Sequence, residues 1–243
     1  ENKSWGKRKS RSDFKKIQSY LCKFRRKGKQ IMGQKINPIG YRLGISKNWN
    51  SRWFSSKKDY ADLLLEDKKI RDILNDKLST AGLKDVEIER TENEVNILIK
   101  VSKPGVVIGR GGTGVEEMEK EIKKITKGKK IKITAEGVKS SETEAQLVAD
   151  YICRQLKRRV PYRRVVNFAL NSAIDKGAKG IKIRLAGVLS GSNTISRSET
   201  YKLGSVPAQT LRSDIDYAQV HCQMLFGVIG IKVWIYKGEI ELQ

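Results

Sequence analysis

Cysteine and histidine are almost missing from this chain, and most metal and nucleophile chemistry goes with them. The three cysteines, Cys22, Cys153 and Cys222, lie far apart with no C-x-x-C. The single histidine, His221, has no ligand neighbour except Cys222. Neither a metal site nor a disulfide framework is expected, and the usage suits a reducing interior. One histidine leaves no nucleophile–His set, no paired carboxylates are apparent, and no GxxxxGK[ST] loop is present to drive work with ATP. Binding rather than catalysis follows, with no cofactor and no small-molecule substrate. No apolar run reaches the roughly 18 residues of a spanning helix, and no signal peptide is visible, so no membrane partner is expected. Acids are scarce too. Against 50 Lys+Arg stand 27 Asp+Glu in 243 residues, a formal net charge of +23. That surplus exceeds what solubility needs and points to a polyanionic partner.

What is present centres on Lys103-Pro104-Gly105-Val106-Val107-Ile108-Gly109-Arg110-Gly111-Gly112, which opens a helix predicted from about Gly114 to Thr126. Backbone without Cβ atoms lets a phosphate approach closely, and a helix start offers free N–H donors at a positive dipole end. Arg110 adds a charge that does not titrate away. Lys103, Gly109, Arg110, Gly111 and Gly112 therefore read as a clamp for a phosphodiester backbone. Gly109-Arg110-Gly111-Gly112 after the run Val106-Val107-Ile108 resembles the Gly-x-x-Gly clamp of KH domains. Gly109, Gly111 and Gly114 also satisfy the dinucleotide fingerprint, with Glu136 as its acid. Against that second template, Pro104-Gly105 interrupts after the predicted strand Glu94–Val101, and the strand before it is close enough to make an antiparallel hairpin. An ordinary glycine turn without a ligand fits the residues as well.

Residues 1–31 carry twelve Lys or Arg and two acids, Glu1 and Asp13, among scattered aromatics. Two readings stand side by side: a basic arm that orders on phosphates, and sequence foreign to the protein, since Met32 opens a more structured text. Met32 to Gly44 reads as an extended segment along a surface. Trp49, Trp53 and Phe54 with Lys47 and Arg52 either stack on bases or anchor the segment to its own domain, the preferred reading. A helix is predicted over about Lys57–Ser79, with Tyr60, Leu63, Leu64, Ile70, Ile73, Leu74 and Leu78 on one side. Strands follow at Val86–Ile88 and Glu94–Val101, then the clamp and its helix, then a strand through Ile131, Ile133 and Ala135. That order is similar to the type II KH fold.

Ser141 and Glu144 have capping-box spacing ahead of a helix burying Ala145, Val148, Ala149, Ile152 and Leu156, which ends at Lys157-Arg158-Arg159 and is broken by Pro161. A second helix, about Arg163–Lys176, buries Val166, Ala169, Leu170, Ala173 and Ile174 and stops at Gly177. Arg158, Arg159, Arg163 and Arg164 cluster beside it, with Asn167 and Asn171 on the same exposed side. A solvated face is the plain explanation. Nucleic-acid contact is preferred, because few acids stand by and arginine is chosen over lysine. Ile181–Leu185 alternates as a half-buried strand, Gly187–Ser198 reads as a hairpin turn, and Tyr201–Pro207 as strand and turn. Thr210–Met224 suits an extended strand better than a helix, and Ile229–Ile235 alternates as a last strand.

Gly33-Gln34-Lys35, Asn37-Pro38, Arg42-Leu43-Gly44, the Lys103–Gly109 run, Arg158-Arg159-Val160, Gly177–Lys182, Leu211–Tyr217 and Gly227–Ile235 together resemble the bacterial small-subunit ribosomal protein three family from Met32 to about Glu241. The resemblance implies an α+β fold. A type II KH domain (57–137, helix-strand-strand-helix-strand) follows an extended segment (32–56). A second α+β domain (138–243) sets two helices on a mostly antiparallel sheet. It also implies a place in the head of the small subunit, in a cytoplasmic or organellar ribosome. The partners implied are small-subunit rRNA, mRNA and small-subunit ribosomal proteins ten and fourteen. Family members line the mRNA entry tunnel, where basic residues keep mRNA single-stranded without ATP hydrolysis. Arg163 and Arg164 match two of those positions, and a third, lysine in the family, is Asn167 here. A free-standing KH-type RNA chaperone is the nearer alternative and a dinucleotide-binding enzyme the remoter one.

Overall fold

The computed structural model describes residues 35–126, 129–189 and 195–240. Glu1–Ile36 and Asn37–Gln243 form separate units, and all the described secondary structure belongs to the second. The basic stretch 1–31 lies outside the described residues.

The described chain opens with a correction. The segment predicted as extended makes one helical turn, α1 (Pro38–Arg42), where Pro38 takes a first-turn position and the Asn37 Oδ1 accepts from the Ile39 N–H at 2.9 Å. A two-residue strand, β1 (Ser51–Arg52), follows, and then α2 (Tyr60–Lys77). Of the stripe predicted for α2, Ile70 and Leu74 are fully buried, whereas Tyr60 and Leu64 stay half exposed. Strands β2 (Leu83–Arg90) and β3 (Glu94–Val101) form the expected antiparallel hairpin. After α3 (Pro104–Ile108), a 3₁₀ turn at Arg110–Gly112 and α4 (Thr113–Ile125), β4 (Lys130–Gly137) returns parallel to β3. The sheet order is β1-β2-β3-β4, with β1 parallel to β2. Alternation along β2 and β3 turns Val86, Ile88, Val95, Ile97, Ile99 and Val101 onto α2 and α4 as one core.

The second core belongs to α5 (Ala145–Lys157) and α6 (Tyr162–Asp175), which pack on an antiparallel sheet. Its strands are β5 (Gly180–Gly187), β6 (Arg197–Gly204), β7 (Ser213–Met224) and β8 (Gly227–Glu239), in the order β6-β5-β8-β7. The predicted stripes of both helices are buried here except for Ile174, which is partly buried, and Val165 joins them. The hairpin expected over Gly187–Ser198 is present as the β5–β6 pairing, although residues 190–194 within it lie outside the described residues. Of the stretch Thr210–Met224 expected to be extended, Ser213–Met224 is strand β7 and a turn precedes it. The fold is thus α+β, with a KH-type layer of helices on one sheet and two helices on a second, antiparallel sheet.

Candidate nucleic-acid interface

The glycine stretch does not leave a strand directly. Five residues of helix, α3, stand between β3 and Gly109, so Lys103 sits exposed at one end of α3 and the glycines at the other. Lys103 instead lines a cavity of about 270 Å³ with Tyr151, Arg154 and Phe168. The β3–β4 connection is itself a parallel crossover, so strand direction does not separate a KH clamp from a dinucleotide fold. The intervening helix does, because it carries the glycines off the strand end where a dinucleotide loop would sit. Backbone geometry makes the glycines specific. Gly109 has φ 71°, and a Cβ there would lie 3.0 Å from the Gly114 nitrogen. A Cβ on Gly114 would lie 2.6 Å from the Val107 carbonyl, so α3 and α4 close to contact only through glycine. Gly111 and Gly112 also have positive φ, but nothing lies within 4 Å of where their Cβ would be. Their backbone faces open space at the start of a thirteen-residue helix, which is the geometry that lets an anion reach N–H donors. The Arg110 side chain lies outside the described residues.

The arginine cluster forms where α5 hands over to α6. Arg158 closes α5, and Arg159 takes a left-handed φ of 62° as its N–H bonds back to the Leu156 carbonyl at 2.8 Å. Pro161 then precedes α6, whose first turn contains no acid. Arg163 and Arg164 therefore place two cations at the positive end of a helix dipole, where a carboxylate would stabilise the helix. Among the described residues Arg158, Arg159 and Arg164 have no ion-pair partner. Arg163 is the exception to the expected scarcity of acids. It lies 3.9 Å from Glu199 of β6 and its side chain is 72% exposed. Its Nε donates to the Tyr162 hydroxyl at 3.2 Å, and that hydroxyl donates to Glu199 at 3.0 Å. The bond to Tyr162 raises the Arg163 pKa, and the Tyr201 hydroxyl, followed by Tyr162 and Arg163, holds the Glu199 carboxyl below its usual range against a smaller effect of burial. Asn167, one turn further on, is exposed and uncharged. So the structure brings Arg158, Arg159, Arg163, Arg164 and Asn167 to one helix junction.

The aromatic segment divides. Trp53 is an anchor, its Nε1 donating to Asp67 at 2.9 Å and its ring 5.3 Å from that of Tyr60. Trp49 and Phe54 are 65% and 97% exposed. Sequence reasoning missed Arg42, Asp67 and Asp216, which are buried or nearly so and hold the scaffold that presents these surfaces; no local pattern marks them.

Comparison with known proteins agrees with this architecture. The KH domain family model matches residues 69–143, and the model described as ribosomal protein S3, C-terminal domain, matches residues 152–235. The small ribosomal subunit protein uS3 of Desulforudis audaxviator is 51% identical over 209 residues, covering 86% of this chain and 95% of that protein. The proteins of the same name from Caldicellulosiruptor saccharolyticus and Bacillus thuringiensis are each 48% identical, again over 86% of this chain and 94% of theirs. Identity of that order along nearly the whole of each relative leaves one conclusion: this chain belongs to the small ribosomal subunit protein uS3 family, a family of RNA-binding ribosomal proteins and not of enzymes.

Proposed function

We propose that this chain is a structural constituent of the small-subunit head that binds rRNA and lines the path by which mRNA enters, guiding and unwinding it without ATP hydrolysis. Its neighbours in that reading are small-subunit proteins ten and fourteen, in a cytoplasmic ribosome. The chain divides into an N-terminal segment (32–56), a KH domain (57–137) and a C-terminal domain (138–243). Two hydrophobic cores that share no residue support that division. Gly109, Arg110, Gly111 and Gly112 grip an RNA backbone at the open start of α4, and Lys103 adds charge at the far end of α3.

The observation that carries the reading is the α5–α6 junction. Among the described residues, two arginines stand at the wrong end of a helix dipole with two more beside them, and the one acid paired with any of the four, Glu199, meets Arg163 only at 3.9 Å, an arrangement that costs stability unless a polyanion covers it. Phosphates of a single strand satisfy every one of these charges, and guanidinium groups take them two oxygens at a time. The ribosome supplies the motion and the arginines hold the strand once it is open. Arg163→Ala with Arg164→Ala is expected to slow translation through a hairpin-containing message several-fold while leaving assembly of the subunit intact. Equal rates on structured and unstructured messages in that double variant would remove the proposal. Asn167→Lys should shift the rate the other way, because it adds a cation on the same helix face.

A further inference from the structure

Beside the arginine cluster runs a groove of about 440 Å³ with no acid among the described residues that line it. Leu156 and Ile229 make a buried apolar floor. Tyr162 and Phe226 bring two aromatic rings to it, and Arg159 brings the one charge. The elements that meet here are the end of α5, the start of α6 and the β7–β8 turn. That turn leaves Leu225 and Phe226 84% and 59% exposed, a large apolar area to hold in water beside so much charge. Tyr162 is fixed from two directions, by its hydroxyl bond to Glu199 and by the Arg163 guanidinium 5.7 Å from its ring centre. Arg159 holds its left-handed backbone although glycine would adopt it without strain, which keeps a guanidinium at the groove.

We infer that this groove is a receptor for an unpaired RNA base, with the phosphates on either side of that base lying on Arg158, Arg163 and Arg164. The inference rests on the reading that the arginine face holds RNA phosphates. Charge selects the occupant. A strand that carries an apolar aromatic face on a polyanionic backbone matches an apolar slot that Arg159 lines, beside an arginine cluster whose neighbouring acid, Glu199, is taken up by the Tyr162 and Tyr201 hydroxyls, and base–aromatic stacking is tolerant of sequence. A base seated there cannot pair, so the groove would hold the opened strand open and the arginines alone would not.

The test uses the full chain and a short adenosine-rich RNA, once intact, once with 2-aminopurine at one position, and once with abasic ribose along its length. Binding is expected to quench the 2-aminopurine fluorescence, and the abasic strand is expected to bind about fivefold more weakly or worse. Phe226→Ala should weaken the intact strand by a similar factor, leave the abasic strand unaffected, and keep the salt slope unchanged because every arginine still meets its phosphate. Phe226→Leu keeps the apolar volume on an exposed turn, loses the ring, and should behave the same way. Equal binding of intact and abasic strands to the unmodified chain overturns the inference. So does undiminished RNA binding by both Phe226 variants, and if those variants instead shed a protein from assembled subunits, the groove is a protein contact. The Arg163→Ala, Arg164→Ala double variant separates the two readings. A salt slope it leaves unchanged means the phosphate reading has failed and the base receptor with it. A reduced slope with no penalty for abasic RNA means that the base receptor alone has failed.

Discussion

Two buried charges tie the N-terminal segment to the rest of the molecule. The Arg42 guanidinium is fully buried and donates to the carbonyls of Pro38, Ala208, Thr210 and Ser213 at 2.7–3.2 Å. Burial pushes its pKa down, opposed by the smaller effects of Tyr41 and Asp214, and the carbonyl fan replaces the lost water. Three of those carbonyls are 166 to 171 residues away in sequence, so nothing local announces the site. Asp67 does the same work against the KH-type sheet. It accepts from Arg90 Nε at 2.7 Å, Trp53 Nε1 at 2.9 Å and Ser51 Oγ at 3.1 Å, and Arg90 also reaches Glu66 at 2.8 Å. Side chains of Arg90 and Asp67 are only 3% and 4% exposed. Asp67→Ala would leave the buried Arg90 with Glu66 as its one carboxylate among the described residues and strip the acceptor from Trp53 and Ser51, so it should cost about 3 kcal/mol, measured as a lower urea midpoint. Asp67→Asn, which keeps two acceptor contacts, should cost less. A midpoint that Asp67→Ala leaves unmoved would mean the pair is solvated.

At the scale of an element, the stripes of α5 and α6 were legible because a period of 3.6 survives any tertiary context, but the start of α5 was not. Ser141 and Glu144 have the spacing of a capping box, yet Ser141 falls in a 3₁₀ turn and Glu144 makes no cap bond. Its carboxylate instead bridges Lys84 of β2 at 2.9 Å and Lys237 of β8 at 2.7 Å. The cap comes from β7, where Asp216 Oδ2 accepts from the Ala145 N–H at 2.8 Å. Burial alone would push the Asp216 carboxyl up. The Ala145 N–H, Lys237, Glu144 and Lys47 together outweigh it and hold the pKa below the ordinary 3.8. A depressed carboxyl contributes stability that is fully present above its unfolded pKa and is lost as pH falls through the folded value. Burial pushes Asp85 and Asp150 the other way, so the contribution is isolated by difference. Asp216→Asn should lower the thermal midpoint at neutral pH, and the gap to the parent should narrow as pH falls below about 4. A gap constant with pH would assign the loss to packing.

For the whole molecule, charge is the dominant property. Residues 1–31 hold twelve bases against two acids and so contribute ten of the net +23. If that stretch is a phosphate-binding arm, a chain beginning at Met32 should bind small-subunit rRNA with a shallower dependence on salt. The slope should fall by about 0.9 for each duplex phosphate that the arm had neutralised. An unchanged slope would mark the stretch as foreign to RNA binding. The remaining +13 is carried by a scaffold of two cores and two sheets, joined by Glu144 and strapped by the segment from α1 to β1.

The sequence by itself determined the surplus of positive charge, the stripes of α5 and α6, the alternation of the main strands, the glycine-rich turn and the arginine-rich junction. Each is written in composition or in spacing over a few residues, and backbone periodicity and net charge do not depend on what packs where. Only the tertiary structure decided the parallel return of β4, the separation of Lys103 from the glycines, and the Glu199 beside Arg163. The anchors Arg42, Asp67 and Asp216, and the groove under Phe226, were likewise its decision. All of these are made by groups far apart along the chain, and which distant groups meet is settled by burial of both cores at once.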